Sequence, residues 1–169
     1  MGVHAGEPVT EGEGFFQDAV QITTWLCDVA GVGEIAISGR IKDYAKTSVQ
    51  PNEKPLKVLS PADEKFLHAY MTNIQPTLSD EAIPLEKLCK SLGISRAQLY
   101  RKITSMTGHS PNSFMQELRL RKALRLLMQQ YGNIAEIAFA SGYNNPSYFT
   151  RSFQKRFGML PAQVLRSVE

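Results

Sequence analysis

The chain has 169 residues, 43% of them apolar and 21% charged, with a net charge of +3, the composition of an ordinary globular protein of one domain or two small ones. No apolar run approaches the ~20 residues needed to cross a bilayer. The N-terminus lacks a charged-then-apolar leader pattern, so no membrane partner and a cytoplasmic location are expected.

The modest net charge hides an asymmetry. Residues 1–84 hold 6 Lys plus Arg against 12 Asp plus Glu, net −6, whereas residues 85–169 hold 13 against 4, net +9. A basic block behind an acidic one implies that the C-terminal part meets a polyanion. Cys27 and Cys89 lie within apolar helical patterns without a neighbour for a metal or redox pair, which fits a reducing compartment.

In chain order, the first ten residues read as a brief strand with glycines, followed by the acidic Glu11-Gly12-Glu13-Gly14. Phe16, Ala19, Val20, Ile22, Trp25, Leu26 and Val29 recur with helical spacing over 15–30, and Gly31 is the expected stop. Residues 34–38 suit a short buried strand, and 40–46 a further helical turn. Residues 1–46 are thus a strand, helix, strand fragment, thin as an independent core. Trp25 is read as core or interface rather than a ligand-stacking residue.

Residues 2–38 resemble the C-terminal segment of the class III nucleotide cyclase catalytic domain. Gly2-Val3-His4-Ala5-Gly6-Glu7 is similar to its central strand and turn, Asp18-Ala19-Val20 to the start of its helix, and Gly33-Glu34-Ile35 with Ser38 to its next strand. In cyclases an Asn and an Arg on that helix orient the ribose and stabilise the triphosphate; here Gln21 and Trp25 stand in those positions, and strands with metal-binding aspartates are absent. Without carboxylates for two Mg²⁺ ions the chemistry has no engine, so the resemblance implies a degenerate remnant and no enzyme. A fragment with open sheet edges tends to pair with another chain, hence a homodimer is expected through this region. The alternatives are a non-catalytic cyclic-nucleotide or nucleotide sensor coupled to whatever the basic C-terminal half binds, a truncated cyclase fusion, or a start upstream of Met1.

Residues 47–59, with Pro51, Asn52, Pro55 and several lysines, read as a linker. Ser60 is the expected N-cap of a helix with Pro61 in its first turn, Asp63 and Glu64 near its positive end, and Phe66, Leu67, Tyr70 and Ile74 on its apolar face. It opens a third region, 60–169. Pro76 to Pro84 is turn-rich.

From residue 83 to 165 one device occurs twice. Leu85, Leu88, Cys89 and Leu92 run to Gly93-Ile94-Ser95 and resume at Leu99, Ile103 and Met106. Ile134, Ile137 and Ala138 run to Gly142 and resume at Tyr148, Phe149, Phe153 and Phe157. Two short helices with a glycine turn, and a small residue four before each glycine, are the helix-turn-helix pattern. Between them Ser110 caps a helix with Pro111 first, and Phe114, Leu118, Leu120, Ala123, Leu124 and Leu127 make it a packed connector.

Residues 83–168 resemble the DNA-binding domain of the AraC/XylS transcription regulators. The likeness is carried by Leu99-Tyr100-Arg101-Lys102, Thr107-Gly108-His109-Ser110-Pro111, Arg119-Leu120, Ile134-Ala135-Glu136-Ile137-Ala138, Gly142-Tyr143, Ser147-Tyr148-Phe149 with Arg151, and Phe157-Gly158 with Pro161. It implies a mainly α chain, two helix-turn-helix motifs joined by a connector helix and preceded by a small α/β fragment. Double-stranded DNA is the expected partner and RNA polymerase a further candidate, with no cofactor.

In the first motif Leu99 and Ile103 must face inward, leaving Arg96, Ala97, Tyr100 and Arg101 outward. The resemblance puts Ala97, Tyr100 and Arg101 at base edges, with Arg101 the main reader. In the second, Phe149 and Phe153 face the core while Asn145, Pro146, Ser147, Thr150 and Arg151 face out. The resemblance assigns base reading to Pro146, Ser147 and Arg151. An arginine fork pairs with two acceptors on guanine. Lys102, Arg121, Lys122, Lys155 and Arg156 are expected at phosphates, as are the helix N-termini at Leu85 and Ile134.

The remaining features have plainer readings. Tyr148, Phe149, Phe153 and Phe157 read as core rather than a base-stacking platform. Arg119 is read as either a phosphate contact or the partner of a carboxylate such as Glu136. His4, His68 and His109 show no metal-ligand clustering.

Overall fold

The computed structural model describes residues 1–3, 17–31, 33–41, 56–80 and 85–167. The turn after the first strand, the acidic segment 11–14, residues 42–46, most of the linker and residues 81–84 lie outside the described residues. The chain is mainly helical and divides into two compact units, Met1–Thr72 with Ala97–His109, and Asn73–Arg96 with Ser110–Glu169.

In the first unit, β1 (Gly2–Val3), β2 (Ile35–Ser38) and β3 (Leu56–Leu59) form a parallel sheet in that order, with Gly2 opposite Ala36 and Ile35 opposite Leu56. Helix α1 (Gln17–Val29) packs on β1 and β2 and buries Trp25, Leu26 and Val29. The approach is close enough that a Cβ on Gly2 would lie 2.5 Å from the Thr23 carbonyl oxygen, so only glycine fits there. Val20, expected on the apolar face, is instead exposed. Trp25 is core, its ring edge against His68 at 5.1 Å.

Residues 56–59 correct the linker reading. They pair with β2 over their whole length, and Lys57 reaches Glu34 at 3.4 Å. Four residues carry no readable period, and the partner strand lies about twenty positions earlier. Helix α2 (Pro61–Ile74) starts as expected: Ser60 Oγ accepts the Asp63 amide, and Leu67, Tyr70 and Met71 are buried.

The second unit holds the 3-10 turn Gln75–Thr77 and helices α3 (Leu85–Leu92), α5 (Pro111–Met128), α6 (Ile134–Ala140), α7 (Pro146–Phe157) and α8 (Pro161–Ser167); α4 (Arg96–Thr107) lies almost wholly in the first unit. Its core gathers Leu120, Ala123, Leu127, Ile137, Ala138, Tyr143, Phe149, Phe153 and Val164. Helix α8 had no counterpart in the sequence reading. It is short, but Pro161 begins it and Val164 is buried with α5 and α7.

Candidate nucleic-acid interface

Both glycine turns have the same construction. Gly93 and Gly142 take φ of +64° and +83°, the left-handed region that side chains resist. Across each, an amide donates back to the carbonyl of the small residue four before the glycine: Ile94 N to Cys89 O, and Tyr143 N to Ala138 O, both 3.0 Å. The repeat read in sequence is therefore a repeated helix ending.

Helix α4 buries Leu99, Ile103 and Met106 and leaves Ala97, Tyr100 and Arg101 exposed, as the period requires. Arg101 makes no ion pair or hydrogen bond among the described residues. Lys102, expected at a phosphate, holds its ammonium 5.0 Å above the Phe66 ring. Arg96 pairs with Glu86, but the two side chains are 66% and 79% exposed, so the pair is weak and easily exchanged for another anion.

The second motif is capped at both starts. Asn133 and Glu136 form a reciprocal box: Asn133 Oδ1 accepts the Glu136 amide and Glu136 Oε2 accepts the Asn133 amide. Glu136 is thereby engaged in the cap rather than with Arg119. The helix start at Ile134, expected to offer donors to phosphate, already has part of its first turn satisfied by this box. Asn145 caps α7 from its side chain alone, its Oδ1 accepting from Ser147 N at 2.9 Å and Tyr148 N at 3.0 Å. Of Asn145 only the amide NH₂ is left to face outward.

The aromatic run sorts by burial. Phe149 and Phe153 are fully buried and stack in a tilted series from Tyr143 to Phe157, with centroids 4.6–5.7 Å apart. Tyr148, grouped with them by spacing, is 50% exposed and flanks the outward face. On that face Pro146, Ser147, Thr150 and Arg151 line a concavity of about 360 Å³. Arg151 is exposed, and its Nε donates to the Ser147 carbonyl one turn earlier at 3.4 Å. Lys155 is exposed and unpaired among the described residues.

Other cations expected at phosphates are engaged internally. Arg156 donates from Nε and Nη2 to the two oxygens of Glu117, at 2.5 and 2.6 Å, and Arg121 Nε donates to Glu117 Oε1 at 2.7 Å. Burial pushes the Glu117 carboxyl up, but hydrogen bonds from Arg156 and Arg121 outweigh it, leaving the group below the usual carboxylate range. Arg119 is buried and donates to the carbonyls of Leu78 and Asp80, which is neither a phosphate contact nor a carboxylate pair. Lys122 donates to Ser79 Oγ at 2.7 Å.

The sequence does not single out Glu117, and it does not point Arg119 to the carbonyls it meets, because Arg156 lies 39 positions from Glu117 and Leu78 and Asp80 lie 41 and 39 positions from Arg119; only the Glu117–Arg121 pair is local. The only hint was a lone acid in a run of basic and apolar residues.

Residues 88–167 match the family model described as a helix-turn-helix domain. Among curated proteins, the chain is 32% identical over 128 residues to Histidine kinase P4 of Formosa agariphila, covering 75% of this chain and 9% of that protein. It is 32% identical over 85 residues to the HTH-type transcriptional activator RhaS of Mannheimia succiniciproducens, 50% of this chain and 32% of that one. The chain thus spans less than a third of either relative. Among solved structures, it is similar to the C-terminal domain of AraT, a response regulator from Geobacillus stearothermophilus, with 32% identity and a TM-score of 0.54 over 64% of this chain and 87% of that one.

Proposed function

We propose, on the premise that residues 88–167 form an AraC-type helix-turn-helix DNA-binding domain, that the whole protein is a sequence-specific transcription regulator. Helices α4 and α7 each enter a major-groove segment, where every base pair shows a distinct pattern of donors and acceptors. Arg101 and Arg151 read guanine, Tyr100, Ala97, Pro146 and Ser147 line the base edges, and Lys155 meets phosphate. The observation that carries this reading is the outward arginine on each of these helices, without a carboxylate partner among the described residues, above buried Leu99, Ile103, Phe149 and Phe153.

The strand, helix, strand fragment of residues 1–46 is assigned a dimerising or signal-receiving role, and the DNA-binding part is taken to begin at Ser60. RNA polymerase as a further partner, and the cytoplasm as location, belong to the same reading. Among the described residues no helix is long and apolar enough to cross a membrane. The cyclase-derived alternatives have no comparable support, since Trp25 is sealed in the core.

Selecting bound duplexes from a random pool tests the proposal. A defined site should emerge. On it, Arg151→Ala and Arg101→Ala should each lose about 1–3 kcal/mol and relax the preference at one position, while Lys155→Ala weakens all sequences alike. Recovery of no site at low salt, or identical behaviour of both kinds of variant, refutes the assignment.

A further inference from the structure

The concavity on α7 has two chemically different walls. On one side is the Arg151 guanidinium, steadied at Nε by the Ser147 carbonyl so that its terminal nitrogens remain outward. On the other are Pro146 and Thr150. Proline has no backbone N–H, so its ring offers only carbon. Thr150 is polar in name, but its hydroxyl donates to the Pro146 carbonyl at 2.9 Å, one turn back along the helix. With the oxygen fixed against the backbone, the methyl is the part of Thr150 left to line the hollow. Thr150, which the sequence marks only as facing out, is here an apolar surface.

A guanidinium fork beside a carbon wall has a specific complement in the major groove. Guanine offers O6 and N7 to the fork, and thymine is the base that presents a methyl group there. Cytosine and adenine would bring amino groups against the Pro146 ring and the Thr150 methyl, and neither of those surfaces offers their hydrogens an acceptor; the Ser147 hydroxyl, which also lines the hollow, belongs to the neighbouring stripe of the helix with Arg151. We propose that the Pro146–Thr150 wall is a thymine-methyl subsite, so that α7 reads a thymine adjacent to the guanine held by Arg151. This rests on the reading of α7 as a groove-entering helix, and it adds Thr150 and the identity of a second base.

The test uses the full chain and the duplex recovered by selection. Replacing its guanines one at a time by 7-deazaguanine should locate the one whose substitution weakens the native protein but not Arg151→Ala. The base step next to it should carry thymine. Exchanging that thymine for deoxyuridine, which removes only the methyl, should weaken the native protein about fourfold, the weight of one buried methyl group. Thr150→Ser keeps the hydroxyl and its bond to Pro146 but lacks the methyl, so with only the Pro146 ring left its preference for thymine over deoxyuridine should shrink to about twofold or less, and Thr150→Val should retain the fourfold discrimination.

If no duplex is recovered, the DNA-binding reading falls and this inference with it. If the guanine maps to Arg151 but the neighbour is not thymine, or Thr150→Ser discriminates against deoxyuridine as strongly as the native protein, the subsite alone is overturned.

Discussion

Glu117 is the place to perturb the second helix-turn-helix without touching its outward face. Its carboxylate is 8% exposed and takes two hydrogen bonds from Arg156 on α7 and one from Arg121 on its own helix α5. Breaking a fully buried ion pair costs about 3–5 kcal/mol, chiefly through the charge left behind. Here the arginines are 33% and 21% exposed, so each regains part of its hydration once released. Glu117→Ala should therefore destabilise by about 2–3 kcal/mol, and Glu117→Gln, which still accepts one bond, by about half that. Urea unfolding followed by circular dichroism reads this as a lowered midpoint at constant slope. The pH dependence has a fixed sign. A carboxyl whose folded value is depressed contributes fully above its unfolded value of about 4.3 and loses that contribution as pH falls through the folded value. The gap between native protein and Glu117→Gln should be wide at pH 7 and should close in acid. An unchanged midpoint at pH 7, or a gap indifferent to pH, would show that the cluster does not hold α7.

Gly142→Ala should cost about 3 kcal/mol or more, combining about 1–2 for the left-handed backbone with the overlap of a Cβ placed 2.2 Å from the Leu78 carbonyl oxygen; a thermal midpoint within a degree of native would refute it. Asn133→Ala removes one half of the capping box and should cost about 1 kcal/mol, measured by the same urea titration, with DNA affinity unchanged once the folded fraction is matched.

What was legible in the sequence was local. Ser110 before Pro111 and the glycines at 93 and 142 each act through bonds spanning at most five residues, and each does what its type and spacing predict. The periods placing Leu99, Ile103, Phe149 and Phe153 inward were readable for the same reason. Position in a period says only which way a residue points. It does not distinguish Arg156, clamped by a carboxylate 39 positions earlier, from Arg151, five positions before it and outward. Nor does it reveal β3, whose partner strand is fixed by a parallel pairing that no spacing within 56–59 encodes. The period sorted inside from outside for most of these positions, failing at Val20 and Tyr148, and the fold sorted the arginines.

That sorting follows from how few acids the basic half contains. Residues 85–167 hold three: Glu86 meets Arg96, Glu117 holds Arg121 and Arg156, and Glu136 closes a helix cap. None is left near Arg151, so its charge is available to an external anion or base. Supplying one acid should reverse this. Ser147 lies one helical turn before Arg151 on the exposed face, and a glutamate there stands in the favourable i, i+4 order with the arginine, worth about 0.3–0.5 kcal/mol to the helix. Ser147→Glu should therefore leave the fold as stable as before, or slightly more so, while abolishing preference at the guanine and weakening DNA binding generally through repulsion of the phosphates. Stability and affinity would move in opposite directions, which a merely unfolding variant cannot imitate. Full sequence preference retained by Ser147→Glu, measured on the selected site and on a duplex lacking that guanine, would mean that Arg151 is not the residue reading it.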